Sequence, residues 1–77
     1  MTPKKILERL GQAEDLLLLA KKEFIAHIDA TLDGYNEGWV SKELRDELLS
    51  LSQNRLKEVE VSLAELQDLK RQAMNLE

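Results

Sequence analysis

The chain has no cysteine, one proline, three glycines and three aromatic residues in 77 positions. Without cysteine there can be no disulfide framework and no thiolate metal site. His27 is the only histidine, and an imidazole cluster cannot be assembled from it. No long apolar run is present either. The longest, Leu16–Ala20, falls far short of the roughly 20 residues that span a bilayer. The N-terminus carries Lys4 and Lys5 without an apolar segment and a small-residue cleavage site behind them. The reading is therefore of a chain with no signal peptide, no membrane span and a cytoplasmic location.

Charge of one sign is also scarce. Eleven bases and 15 acids give a net charge of −4. Residues 3–32 carry five of each sign, and residues 41–77 carry six bases and eight acids. No basic arm exists to displace phosphate counterions, so nucleic acid is not an expected partner.

What remains is helical periodicity. Pro3 suits a first helical position, with Thr2 as a cap. Ile6, Leu7, Leu10, Ala13, Leu17, Leu18, Phe24, Ile25, Ile28 and Leu32 recur by threes and fours, which places them on one broad helical face. The segment Asp33-Gly34-Tyr35-Asn36-Glu37-Gly38-Trp39 holds two of the three glycines with an Asp and an Asn, which is turn chemistry. Ser41 is a good N-cap, and Glu43, Asp46 and Glu47 sit where a helix dipole favours acids. Leu44, Leu48, Leu51, Val59, Leu63, Leu66, Leu69, Ala73 and Leu76 then mark a second stripe.

The pattern predicts an all-α fold: an antiparallel two-helix hairpin with a helix over 3–32, a turn over 33–40 and a helix over 41–76. Folding about that turn would set Leu17 against Leu56 and Leu10 against Leu63, with residues beyond Gln72 overhanging. Near Arg55 the apolar register of the second helix slips, which argues against a long regular zipper. Strand signals are absent.

Chemistry finds little purchase. Asp29, Thr31, Asp33 and Gly34 match the first half of a calcium-loop pattern. Val40 stands where the bidentate glutamate is required, so the metal reading fails. His27 lacks a nucleophile and a pocket, and the serines sit in no nucleophile motif. The expectation is of a protein that is not an enzyme and takes no cofactor.

Four features point to association instead. Leu16, Leu17, Leu18 and Leu19 are consecutive, so they ring the helix. Leu17 and Leu18 belong to the hairpin face, while Leu16 and Leu19 point away and require another cover. Tyr35 and Trp39 cluster at the turn, either closing the core or anchoring a partner. Glu14 and Arg55 intrude on the apolar faces and could form a buried polar pair that sets register. Finally, a lone core is marginal at this length.

The expected object is a protein–protein interaction module, a homodimer forming a four-helix bundle, that binds a partner protein to regulate, inhibit or escort it. The alternative is an obligate subunit or export co-chaperone of a heteromeric complex. In size and outline the chain resembles the hairpin co-chaperones of type III secretion needle subunits, a likeness of architecture with no shared motif.

Overall fold

A computed structural model describes residues 3–75 and contains two helices, α1 (Pro3–Asn36) and α2 (Lys42–Met74), packed side by side as a hairpin. Thr2 and Leu76 lie outside the described residues. The rod is 56 Å long and 14 Å across in both other directions, with a radius of gyration of 17.3 Å. A compact chain of this length would have a radius of about 11–12 Å, so one layer of side chains between two helices is the whole core.

The first helix is longer than its sequence suggests. It runs through Gly34 to Asn36, four residues past the expected end. Gly34 therefore acts by close approach and not as a turn residue. A Cβ added there would lie 2.9 Å from Val40 Cγ2, so the returning chain rests on bare helix backbone. The reversal itself belongs to Gly38, whose φ is +84°, the left-handed conformation glycine adopts without penalty. Around it the Gly38 N–H donates to the Tyr35 carbonyl (3.1 Å) and the Trp39 N–H to the Gly34 carbonyl (2.8 Å). This is the pair of bonds that closes a Schellman C-terminus. Ser41 then caps α2 as expected, its hydroxyl accepting from the Leu44 N–H at 3.2 Å.

Moving the apex toward Gly38 resets the pairing of the helices. Lys70 Nζ lies 3.5 Å from the Glu14 carboxylate, Lys21 Nζ 3.9 Å from Glu60, and the Arg45 guanidinium sits 4.1 Å from the centre of the Tyr35 ring. Leu17 accordingly lies beside Leu66 and not Leu56. The two helices, 34 and 33 residues long, match with little overhang, which corrects the offset expected from the sequence.

The interior is a regular heptad seam. On α1 the inward row is Leu7, Leu10, Glu14, Leu17, Lys21, Phe24, Ile28, Thr31 and Tyr35. On α2 it is Arg45, Leu49, Ser52, Leu56, Val59, Leu63, Leu66, Lys70 and Ala73; all eighteen are buried or half-buried. Steps of three and four alternate without a break in both rows, as in coiled-coil packing. The slip expected near Arg55 does not occur, because Ser52 takes the inside place and Leu51 and Arg55 lie outside. Thr31 and Ser52 are the buried polar residues of the seam, and the Thr31 hydroxyl donates to the His27 carbonyl at 2.8 Å.

Gly34 offers a direct test of the turn. Alanine is favoured over glycine by about 1 kcal/mol inside a helix. In the native chain that gain is opposed by the clash with Val40, and overpacking typically costs about 1–3 kcal/mol. Gly34→Ala should therefore lower the melting temperature followed by circular dichroism. In a Val40→Ala background the same change should raise it. A rise in both backgrounds would mean that Val40 does not rest on Gly34.

Candidate functional site

Heptad seams leave three outward positions in every seven, and here many are apolar. Leu19, 56% exposed, lies on the side of α1 turned away from α2, and Leu16, 70% exposed, stands between that side and the edge that borders α2. Leu18, assigned to the hairpin face by its hydropathy, is instead also exposed. With Ile25 and Leu32, exposed as well, it marks every seventh residue along one flank of α1. On α2, Leu44, Leu51, Val61 and Leu69 are exposed.

The other flank holds open depressions between the helices. One of about 420 Å³ is lined by Ala13, Leu16, Leu17, Ser62, Glu65, Leu66 and Leu69. Another of about 280 Å³, nearer the turn, is lined by His27, Ala30, Thr31, Val40 and Leu48. Both are shallow because the small side chains of Ala13, Ala30 and Ser62 lie beside leucines. His27 meets Phe24 edge to face, with ring centroids 6.4 Å apart, and belongs to this surface.

The aromatic pair at the turn divides. Tyr35 is half-buried beneath the Arg45 guanidinium, an arrangement in which a cation is drawn to the ring face. Trp39 is 81% exposed and does not close the core, contrary to one expectation for it. The physical reason lies in the C-terminal motif of α1. The residue after the left-handed glycine normally packs on the residue five before it. For Trp39 that neighbour is Gly34, which has no side chain to offer.

Glu14 and Arg55 are not brought together. Glu14 lies inside the seam and pairs with Lys70, their side chains 22% and 33% exposed. Arg55 faces solvent and contacts Glu58 one turn along its own helix at 3.1 Å. A polar pair thus does cross the hairpin at Glu14, but its cation is Lys70. Such a pair serves register more than stability, and the more exposed Lys21–Glu60 contact contributes little. Lys70 and Ser52 escaped the sequence reading because a hydropathy stripe discounts polar residues. The unbroken three-four spacing through both positions was the signal that could have found them.

The calcium-type pattern has no loop to occupy. Asp29, Thr31, Asp33 and Gly34 are all inside α1. Among the described residues, no group of three or more His, Cys, Asp or Glu side chains could hold a metal ion, and no helix is long and apolar enough to cross a membrane. No buried side-chain nitrogen or oxygen among them lacks a hydrogen-bond partner.

No family model matches this chain, and no curated protein or solved structure is similar to it. The surface itself carries the functional reading.

Proposed function

We propose that the chain is a small non-enzymatic protein–protein interaction module, in which two hairpins bring four helices together and the assembly binds a partner protein to regulate, inhibit or escort it. On this reading it acts in the cytoplasm, without cofactor, metal or nucleic acid. One observation carries it: the hairpin exposes more surface than a folded chain of its size should. Its accessible area is 5975 Å², whereas a compact monomer of 8.9 kDa exposes about 4,800 Å². The excess, about 1,200 Å², exceeds the roughly 800 Å² that each partner contributes to a standard interface. Leu16, Leu19 and the flank residues Leu18 and Ile25 supply apolar area for it.

Light scattering on the purified chain tests the self-association. The expected mass is twice 8.9 kDa, with high helicity. A fully helical chain that stays at the single-chain mass across the accessible concentration range would overturn it.

Trp39 favours a second reading, the obligate subunit or export co-chaperone of a heteromeric complex. Tryptophan is enriched in binding hot spots, and this one stands 81% exposed at the tip of the rod, well away from Leu16 and Leu19 along α1. A lone chain that is poorly helical, and gains helicity only with another protein while its Trp39 emission shifts to the blue, is the outcome that selects this reading.

A further inference from the structure

Three apolar surfaces compete for the second hairpin: the Leu18–Ile25–Leu32 flank of α1, the groove beside Ala13 and Leu69, and the back of α1 at Leu16 and Leu19. Resting on the reading that the hairpin self-associates, we propose that the second copy docks antiparallel on the back of α1, about a two-fold axis between Leu16 and Leu19. Charge separates this face from the others. The exposed charges nearest the leucines on it are Arg9 and Asp15 before them and Lys22 and Glu23 after them, with Gln12 exposed between Arg9 and Asp15 and Lys5 and Glu8 further out. The order of charge is plus, minus, then leucines, then plus, minus.

A two-fold axis pairs a surface with itself, so such a face must be complementary to its own reversal. This one is. When the helix is laid antiparallel on a copy with Leu16 opposite Leu19 of the second copy, four leucines meet at the axis. Asp15 then approaches Lys22 of the second copy on one border. Arg9 approaches Glu23 of the second copy on the other, each within about one turn, or 5.4 Å, along the axis. Each pairing occurs twice. At the outer ends Glu8 and Asp29 of the second copy meet with like charge, but there both carboxylates reach water.

Lys21–Glu60, Arg45–Asp46, Arg55–Glu58 and Lys70–Glu14 are ion pairs within the chain. None of them involves Arg9, Asp15, Lys22 or Glu23. The rival surfaces are bordered differently: on the flank two bases, Lys21 and Lys22, line the depression between Leu18 and Ile25, and the groove brings Glu65 beside Leu16 and Leu69. Exposed ion pairs contribute little energy each. Their part is to choose the face and its direction by penalising wrong pairings, while the leucines supply the attraction.

The test is a charge reversal and its reciprocal rescue, read by sedimentation equilibrium at low ionic strength with helicity checked in each variant. Arg9→Glu sets a glutamate against Glu23 of the second copy at two symmetric places, and Glu23→Arg sets two arginines together. Each single variant should raise the dimer dissociation constant about tenfold. The double variant Arg9→Glu/Glu23→Arg restores both pairs and should return the constant to its native value. If the native chain dimerises and the singles leave its constant unchanged, or the double is as weak as their combination, this face is wrong while self-association stands. If the native chain is a monomer at every concentration, both readings fall together.

Discussion

Replacing Leu63 by alanine is expected to unfold the hairpin far more readily than replacing Leu51, although both are leucines of one helix and of one apparent stripe. Leu63 is 9% exposed in the middle of the seam, and Leu51 is 54% exposed outside it. Removing a buried leucine costs about 2–5 kcal/mol, through lost transfer energy and the cavity left behind. A two-helix rod can collapse partly onto such a cavity, which places Leu63→Ala at about 2–3 kcal/mol. The total stability of a chain this size is on the order of 4–12 kcal/mol, so a substantial part would be lost. Leu51→Ala should shift stability by less than about 0.5 kcal/mol, as surface substitutions usually do. Urea unfolding of both variants, followed at the helical circular-dichroism band, decides it. Equal losses would mean that Leu51 faces a partner helix even in the isolated chain, and the seam described above would be misplaced by a residue.

That comparison also marks where the fold could and could not be read from the sequence. Two helices and a single reversal follow from local signals: Pro3 at a helix start, Ser41 at a cap, and glycine confined to one segment after Gly11. The register did not follow, because it depends on where the reversal turns. Gly34 and Gly38 look alike in sequence. One lies inside a helix, where the bare backbone admits a Val40 methyl that would stand only 2.9 Å from any Cβ, and the other supplies the positive φ. A shift of the apex by one residue moves every facing pair by two, so the misplacement of a few residues at Gly34 set Leu17 against Leu56 in place of Leu66.

The seam was hidden for a related reason. Hydropathy ranks Leu51 above Ser52, yet heptad spacing through Leu49, Leu56 and Val59 requires the serine inside, where it is 4% exposed. Lys70 and Glu14 occupy seam positions by covering apolar neighbours with their stems and meeting each other at the tips, at 3.5 Å. Leu16 and Leu19 were legible as outward-facing, since four leucines in a row cannot share one side of a helix. Trp39 was not, because its exposure follows from the missing side chain at Gly34.

Leu19→Lys is expected to dissociate the assembly while leaving the single hairpin folded. Leu19 is already 56% exposed in the hairpin, and its place on the back of α1 touches nothing in the seam, so a lone chain tolerates the lysine. In the two-fold arrangement the same position lies at the axis, against Leu16 of the second copy, and occurs twice. Burying a fully exposed leucine is worth about 1.5–3 kcal/mol, and with about half of its surface left to bury, losing Leu19 twice removes about 2–3 kcal/mol of attraction. Two ammonium groups held close together among leucines add a desolvation cost. The dissociation constant should rise at least a hundredfold, which corresponds to about 2.8 kcal/mol. Linkage supplies a second readout. A dimer stabilises the folded state by mass action, so the native melting temperature should climb with protein concentration. In Leu19→Lys it should not, and at low concentration the two proteins should melt alike. Leu51→Lys, a lysine at an equally exposed leucine of α2, should keep the native mass and the native concentration dependence. If Leu51→Lys rather than Leu19→Lys abolishes both, the second copy sits across α2, and the back of α1 is open to a different protein.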